Sequence, residues 1–169
     1  MFFHKDNSVK AILAKARKQR DPELNGMEYD VLFLDYDGVL NIIYPGGYER
    51  FSKPLVANVS KLCKEFDLKI VVISSWKISP DYANYLYEAG LDPEVKVFGK
   101  TDDLPGSREG EIKKYLQDHI YINHFIILDD GLFDELRPYQ VRTTISEGFD
   151  ERKYEEAVKL LERQTKRSD

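Results

Sequence analysis

Four consecutive residues, Val31-Leu32-Phe33-Leu34, are apolar with no polar residue alternating between them. An alternating strand buries one face, whereas an unbroken run of this kind is buried on both faces, as in the centre of a parallel sheet. Such a strand obliges the rest of the chain to supply neighbouring strands and two covering layers of helix. Comparable runs recur at Lys69 to Ile73 and Phe125 to Leu128, with a less apolar one at Val95 to Phe98 and a weaker fifth at Gln140 to Thr144. Helical patterns with their own start signals lie around them. Val9, Ile12, Leu13 and Ala16 share one face behind Asp6, Asn7 and Ser8, and this stretch ends near Asp21-Pro22. Pro54 opens a stretch with Leu55, Val59, Leu62 and Phe66 inward, Ser79-Pro80 opens one closed by Gly90, and Ser107 opens one carrying Ile112, Tyr115 and Leu116. Asp150 starts the last, with Tyr154, Ala157, Val158 and Leu161 inward. The alternation predicts an α/β fold in three layers, Rossmann-like, around a mostly parallel five-stranded sheet whose ligands bind beyond the carboxyl ends of the strands.

At 169 residues the chain is expected to form one domain: residues 1–25 as an N-terminal helix and linker, 26–164 as the working body, and 165–169 as a frayed polar tail. A net charge of -5 argues against a nucleic-acid coat protein and offers no broad basic track. The single cysteine, Cys63, leaves nothing for disulfides, zinc clusters or thiol catalysis and fits a reducing cytoplasm. No apolar run approaches a membrane span, and the N-terminus is too polar for a signal-peptide core. The expected location is therefore cytoplasmic.

Polar clusters follow three of the runs: Asp35-Tyr36-Asp37-Gly38-Val39, Ser74-Ser75-Trp76-Lys77, and Asp129-Asp130-Gly131. Carboxylates from neighbouring strands can share a hard divalent cation. Mg2+ suits one or two of them together with waters and phosphate oxygens. Asp35 and Asp129 are the expected ligands, with the Asp37 backbone carbonyl as a third and Asp130 beside them. A cation there would lessen the repulsion between a phosphate and the anionic nucleophile Asp35, which can form an aspartyl-phosphate. Asp37, two residues on, can protonate the leaving alkoxide and deprotonate the hydrolytic water. Gly38 permits a tight turn, and the Ser74 hydroxyl can donate to a phosphoryl oxygen. The phosphate needs a further cation, for which Arg108 leads and Lys77, Lys100 and Lys113 are substitutes. Ser75, Trp76, Lys77 and Arg50 are candidate substrate contacts, and Asp134 could orient metal-bound waters. An EF-hand loop is excluded, since Gly46 stands where an acidic residue is required. His4, His119 and His124 follow no strand end and are assigned no chemistry.

At these residues the chain resembles the haloacid dehalogenase (HAD) superfamily of phosphatases, from Asp35-Tyr36-Asp37-Gly38-Val39 through Ser74 and Arg108 to Asp129-Asp130. Leu40-Asn41, Ser74-Ser75-Trp76, Arg108 with Glu111-Ile112, and Leu128-Asp129-Asp130 look more narrowly like the HAD domains of bacterial RNA-repair (Swiss Army Knife) proteins. The resemblance implies a sheet with the first strand central and the second and fourth beside it, and a Mg2+-dependent phosphohydrolase. A metal-dependent nuclease of PIN-like type and a noncatalytic phosphate-binding module are the alternatives. Many relatives carry a cap domain, yet only a short loop, Asn41 to Lys53, follows the first motif here, and Trp76 to Ser107 holds little beyond one helix and one strand. A capless, open site suits a large substrate such as a phosphorylated oligonucleotide end, with Tyr44, Tyr48, Phe51 and Arg50 placed to stack on bases or grip a phosphate.

Overall fold

The computed structural model describes residues 6–48 and 50–168, the side chains of residues 48, 167 and 168 excepted. His4 and the side chain of Tyr48 therefore lie outside the described residues. In chain order the elements are α1 (Val9–Gln19), β1 (Tyr29–Leu34), a small antiparallel hairpin of β2 (Ile43–Tyr44) and β3 (Gly47–Tyr48), α2 (Lys53–Phe66), β4 (Leu68–Val72), α3 (Asn84–Glu88), β5 (Val97–Lys100), α4 (Arg108–Asp118), β6 (Ile122–Asp129), β7 (Gln140–Arg142) and α5 (Glu151–Ser168). The main sheet runs β5-β4-β1-β6-β7 with every neighbouring pair parallel. The Val31–Leu34 run is at its centre, fully buried.

Alternation across β1 explains the three layers. Leu32 and Leu34 face α2 and α5, packing with Val56, Val59, Leu62, Ala157 and Leu161. Val31 and Phe33 point the other way, against Val9 and Ile12 of α1 and Ile112 and Leu116 of α4. The N-terminal helix is thus part of one covering layer. Ser8 caps it by accepting from the Ala11 N–H, and Arg20 at its end donates to the carbonyls of Ile120 and Ile122 and to Asn123. No cap domain interrupts the described residues: the hairpin is the one regular element between β1 and α2 among them.

Several expected boundaries move: the strand expected over Val95 to Phe98 is β5 at Val97–Lys100, and the one expected over Phe125 to Leu128 begins at Ile122. The helix expected from Ser79-Pro80 to Gly90 is regular only over Asn84–Glu88, and the Tyr36 hydroxyl takes the Tyr82 carbonyl just before it. The fifth strand stops at Arg142. The tail expected to fray is helical through Ser168, where the Thr165 hydroxyl donates to the Leu161 and Glu162 carbonyls. Among the described residues no helix is long and apolar enough to cross a membrane.

Candidate active site

Ladder hydrogen bonds set the level of the acidic residues. The Asp35 N–H donates to the Leu128 carbonyl at 3.0 Å, and the Thr143 N–H donates to the Asp129 carbonyl at 3.2 Å. Asp35 and Asp129 thereby leave adjacent strands at the same height, both almost fully buried. Asp130 joins them, and the carboxylates of Asp35, Asp129 and Asp130 offer oxygens within 4.8 Å of one another.

One guanidinium nitrogen of Arg108 holds two of these carboxylates, at 2.7 Å from Asp129 Oδ2 and 3.1 Å from Asp35 Oδ2. Ser107 accepts from the Gly110 N–H and so starts α4 with Arg108 in its first turn, aimed at the strand ends. Asp35 Oδ1 accepts from the Tyr36 N–H at 2.9 Å, and Asp129 Oδ1 from the Gly131 N–H at 2.7 Å. Burial first, then the Asp129 charge, pushes the Asp35 carboxyl up to about 7, with Arg108 opposing them. Burial and Asp129 also raise Asp130. Burial works against the charge of Arg108, yet Asp35 and Asp129 carry it above its ordinary value. A metal-free site of this kind has too much negative charge for one guanidinium, which is the condition a divalent cation relieves.

Asp37 is clamped on both oxygens. Asn41 Nδ2 donates to Oδ1 at 2.9 Å, and the indole N–H of Trp76 donates to Oδ2 at 2.9 Å. Asn41 also accepts from the Gly38 N–H through its own side-chain oxygen at 2.9 Å. Trp76, expected as a substrate contact, is held against Asp37 by this bond, its ring packed edge-on between Phe51 and Tyr85. Gly38 has φ +78°, and a Cβ at that position would come within 2.7 Å of Asp130 Oδ2. Glycine is therefore required there by backbone conformation and by the closeness of Asp130.

Ser74 is buried at the end of β4, its Oγ accepting from the Trp76 N–H at 3.2 Å. Ser75 is exposed beside it, and Arg50 is exposed on the loop after the hairpin. Of the four candidate cations only Arg108 reaches the carboxylates. Lys77 is buried, its ammonium donating to Glu111, to Thr101 Oγ1 at 3.0 Å and to the Asp102 carbonyl at 3.2 Å, so all three of its protons are engaged within the protein. Lys100 donates to the Lys77 carbonyl, and Lys113 pairs with Glu135. Asp134 is exposed, its N–H donating to Glu109. His124 faces Asp30, and His119 stacks on Tyr115.

Sequence reasoning assigned no role to three supporting residues. Asn41 stood only within the Leu40-Asn41 string of the family resemblance, with no role of its own. Thr143 sits in the weakest strand signal, and its hydroxyl holds the Gly38 carbonyl at 2.7 Å. Glu111 stood beside Ile112 in the same resemblance with no role assigned, and it is the buried partner of Lys77.

The sequence model of the family described as the HAD domain in Swiss Army Knife RNA repair proteins matches residues 31–154, from the central strand into α5. No curated protein and no solved structure matches the chain.

Proposed function

Since the chain belongs to the family of HAD domains in Swiss Army Knife RNA repair proteins, a phosphatase-type hydrolase family that typically uses a divalent metal, we propose that it is a Mg2+-dependent phosphohydrolase acting on the phosphorylated end of a polynucleotide. The observation that carries this reading is the gathering of Asp35, Asp129 and Asp130 at two adjacent strand ends around Arg108.

The donor set fits Mg2+: hard carboxylate oxygens, in a place where the protein's own charges leave Asp35 with a raised affinity for a proton. Asp35, Asp129 and Asp130 would hold the ion, with the Asp37 carbonyl as a further ligand. When bound, it supplies charge neutralisation that lets an anionic substrate approach an anionic nucleophile.

Asp35 attacks phosphorus with a carboxylate oxygen, and the bond from phosphorus to the leaving alkoxide breaks. Asp37 gives its proton to that alkoxide, then takes one from the water that cleaves the acyl-phosphate, returning both residues to their starting states. The Asn41 and Trp76 donors hold Asp37 for these transfers, and both can keep their bonds because either protonation state retains lone pairs. Ser74 donates its hydroxyl to a phosphoryl oxygen, and Arg108 exchanges part of its contact with the carboxylates for the phosphate. Ser75 and Arg50 line the approach. The open rim admits a chain end.

The test is Mg2+-dependent phosphate release from 3′- and 5′-phosphorylated oligonucleotides, compared with sugar phosphates. Asp35→Asn is expected to lower turnover by at least about 1,000-fold with the fold intact, as loss of a nucleophile does. Near wild-type turnover in Asp35→Asn would refute the covalent route, and cleavage of internal phosphodiesters would favour a nuclease.

A further inference from the structure

The net charge of -5 suggested no broad basic track, but the fold collects arginines along one edge of the molecule. β7 pairs only with the last part of β6, Ile127 to Asp129, and leaves the start of β6 without a strand on that side. Gln164 of α5 partly substitutes, bonding the Phe125 carbonyl at 2.7 Å. A cleft of about 710 Å3 results, lined by Arg17 and Arg20 of α1, Arg163 of α5, and Tyr139 stacked on Phe125.

No carboxylate lines this cleft, and among the described residues none forms an ion pair with Arg17, Arg20 or Arg163. The Arg20 guanidinium donates to two carbonyls and an amide, which engage three of its five N–H groups without supplying a counter-charge; Glu28 is near enough to feel its charge but forms no ion pair with it. Arg17 and Arg163 are exposed. Two more exposed arginines mark the way to the carboxylate cluster. Arg137 directly precedes the Pro138-Tyr139 wall of the cleft, and Arg142 at the far end of β7 donates to the Asp130 carbonyl at 3.0 Å. Asn123 in the cleft and Asp129 are six residues apart on one strand, a span of about 20 Å.

We infer that the β7 edge binds the body of a single-stranded polynucleotide whose phosphorylated end lies at Asp35, a reading that rests on the proposed function. Guanidinium groups match phosphate geometry, and five spaced along an edge fit a repeating anion better than a single small one. A mononucleotide cannot span about 20 Å. An extended single strand can.

The experiment measures binding of hydroxyl-ended, fluorescein-labelled single strands of 3 and 12 nucleotides by anisotropy across a salt series, for the full chain and for Arg17→Ala/Arg163→Ala. Hydroxyl ends leave nothing for the phosphatase to remove. The full chain is expected to bind the 12-mer about tenfold or more tighter than the 3-mer. The double variant should lose that advantage, and its salt slope should fall by about 2. Its turnover of a small aryl phosphate should stay unchanged. Equal binding of the two lengths, or a double variant that binds like the full chain, would overturn the inference. So would equally strong competition by a polyglutamate peptide, which would point to an acidic protein partner. Arginine-dependent binding in a chain that releases no phosphate from any oligonucleotide end would support the track while refuting the proposed function.

Discussion

Asp35 concentrates the conflict on which the proposed chemistry depends. A carboxylate that titrates near 4 in an unfolded chain and near 7 in the metal-free fold binds its proton more tightly when folded. Its contribution is therefore fully present below about pH 4 and is lost as the pH rises towards 7. In chelator, Asp35 alone should cost the folded protein roughly 2 to 4 kcal/mol at pH 8 relative to acid conditions. Asp35→Asn should remove that dependence and leave the variant more stable than wild type at pH 8. Urea denaturation at pH 5 and pH 8 checks this, and an unchanged pH profile in the variant would assign the effect elsewhere. Gly38 makes the complementary point about backbone. Gly38→Ala places a methyl group against Asp130 at a φ of +78° and should cost about 1 to 2 kcal/mol. Because Asp130 has to move, a metal titration should weaken alongside the denaturation midpoint; a shift in neither would mean the turn has slack.

At the scale of elements, the buried Lys77–Glu111 pair ties the turn after β4 to α4, one helical turn beyond Arg108. Lys77 is three residues after Ser74 and Glu111 three after Arg108, so loss of the pair should be felt at the site as well as in stability. Removing one partner strands the other charge: Glu111→Leu should destabilise by about 3 to 5 kcal/mol. Lys77→Met/Glu111→Leu should recover most of that loss, since a buried pair replaced by apolar groups of similar size is often neutral. A double-mutant cycle in urea measures the difference, and simple addition of the two single effects would show that the residues act independently. This pair also shows where sequence legibility ended. The strand Val31–Leu34, the Ser107 cap and the inward positions of α4 were readable, because periodicity and capping are properties of neighbouring residues. Lys77 read as a substrate contact because nothing local announces a partner 34 positions away.

The whole molecule depends on α1 more than a terminal segment usually implies. Val9, Ile12 and Ala16 are buried, and Val9 and Ile12 pack with Val31, Phe33 and Ile112 on one face of the sheet. Deleting residues 1–20 should expose that face and lower stability by roughly 4 kcal/mol or more, from the two larger side chains alone. A truncated chain with the full-length denaturation midpoint and no binding of a hydrophobic dye would contradict this. Such a layer could not be assigned in advance, because an amphipathic helix states that it has a buried face and not what covers it. The sequence by itself determined the order of the main strands and helices, the strand buried on both faces and the acidic strand ends, since each follows from patterns spanning a few residues; the hairpin between β1 and α2 read only as a loop. Tertiary structure alone decided that Arg108 and not a lysine meets the carboxylates, that Trp76 and Asn41 clamp Asp37, and that scattered arginines converge on one edge of an acidic protein. Those contacts join residues tens of positions apart, and their meeting depends on how helices dock and where a short edge strand ends.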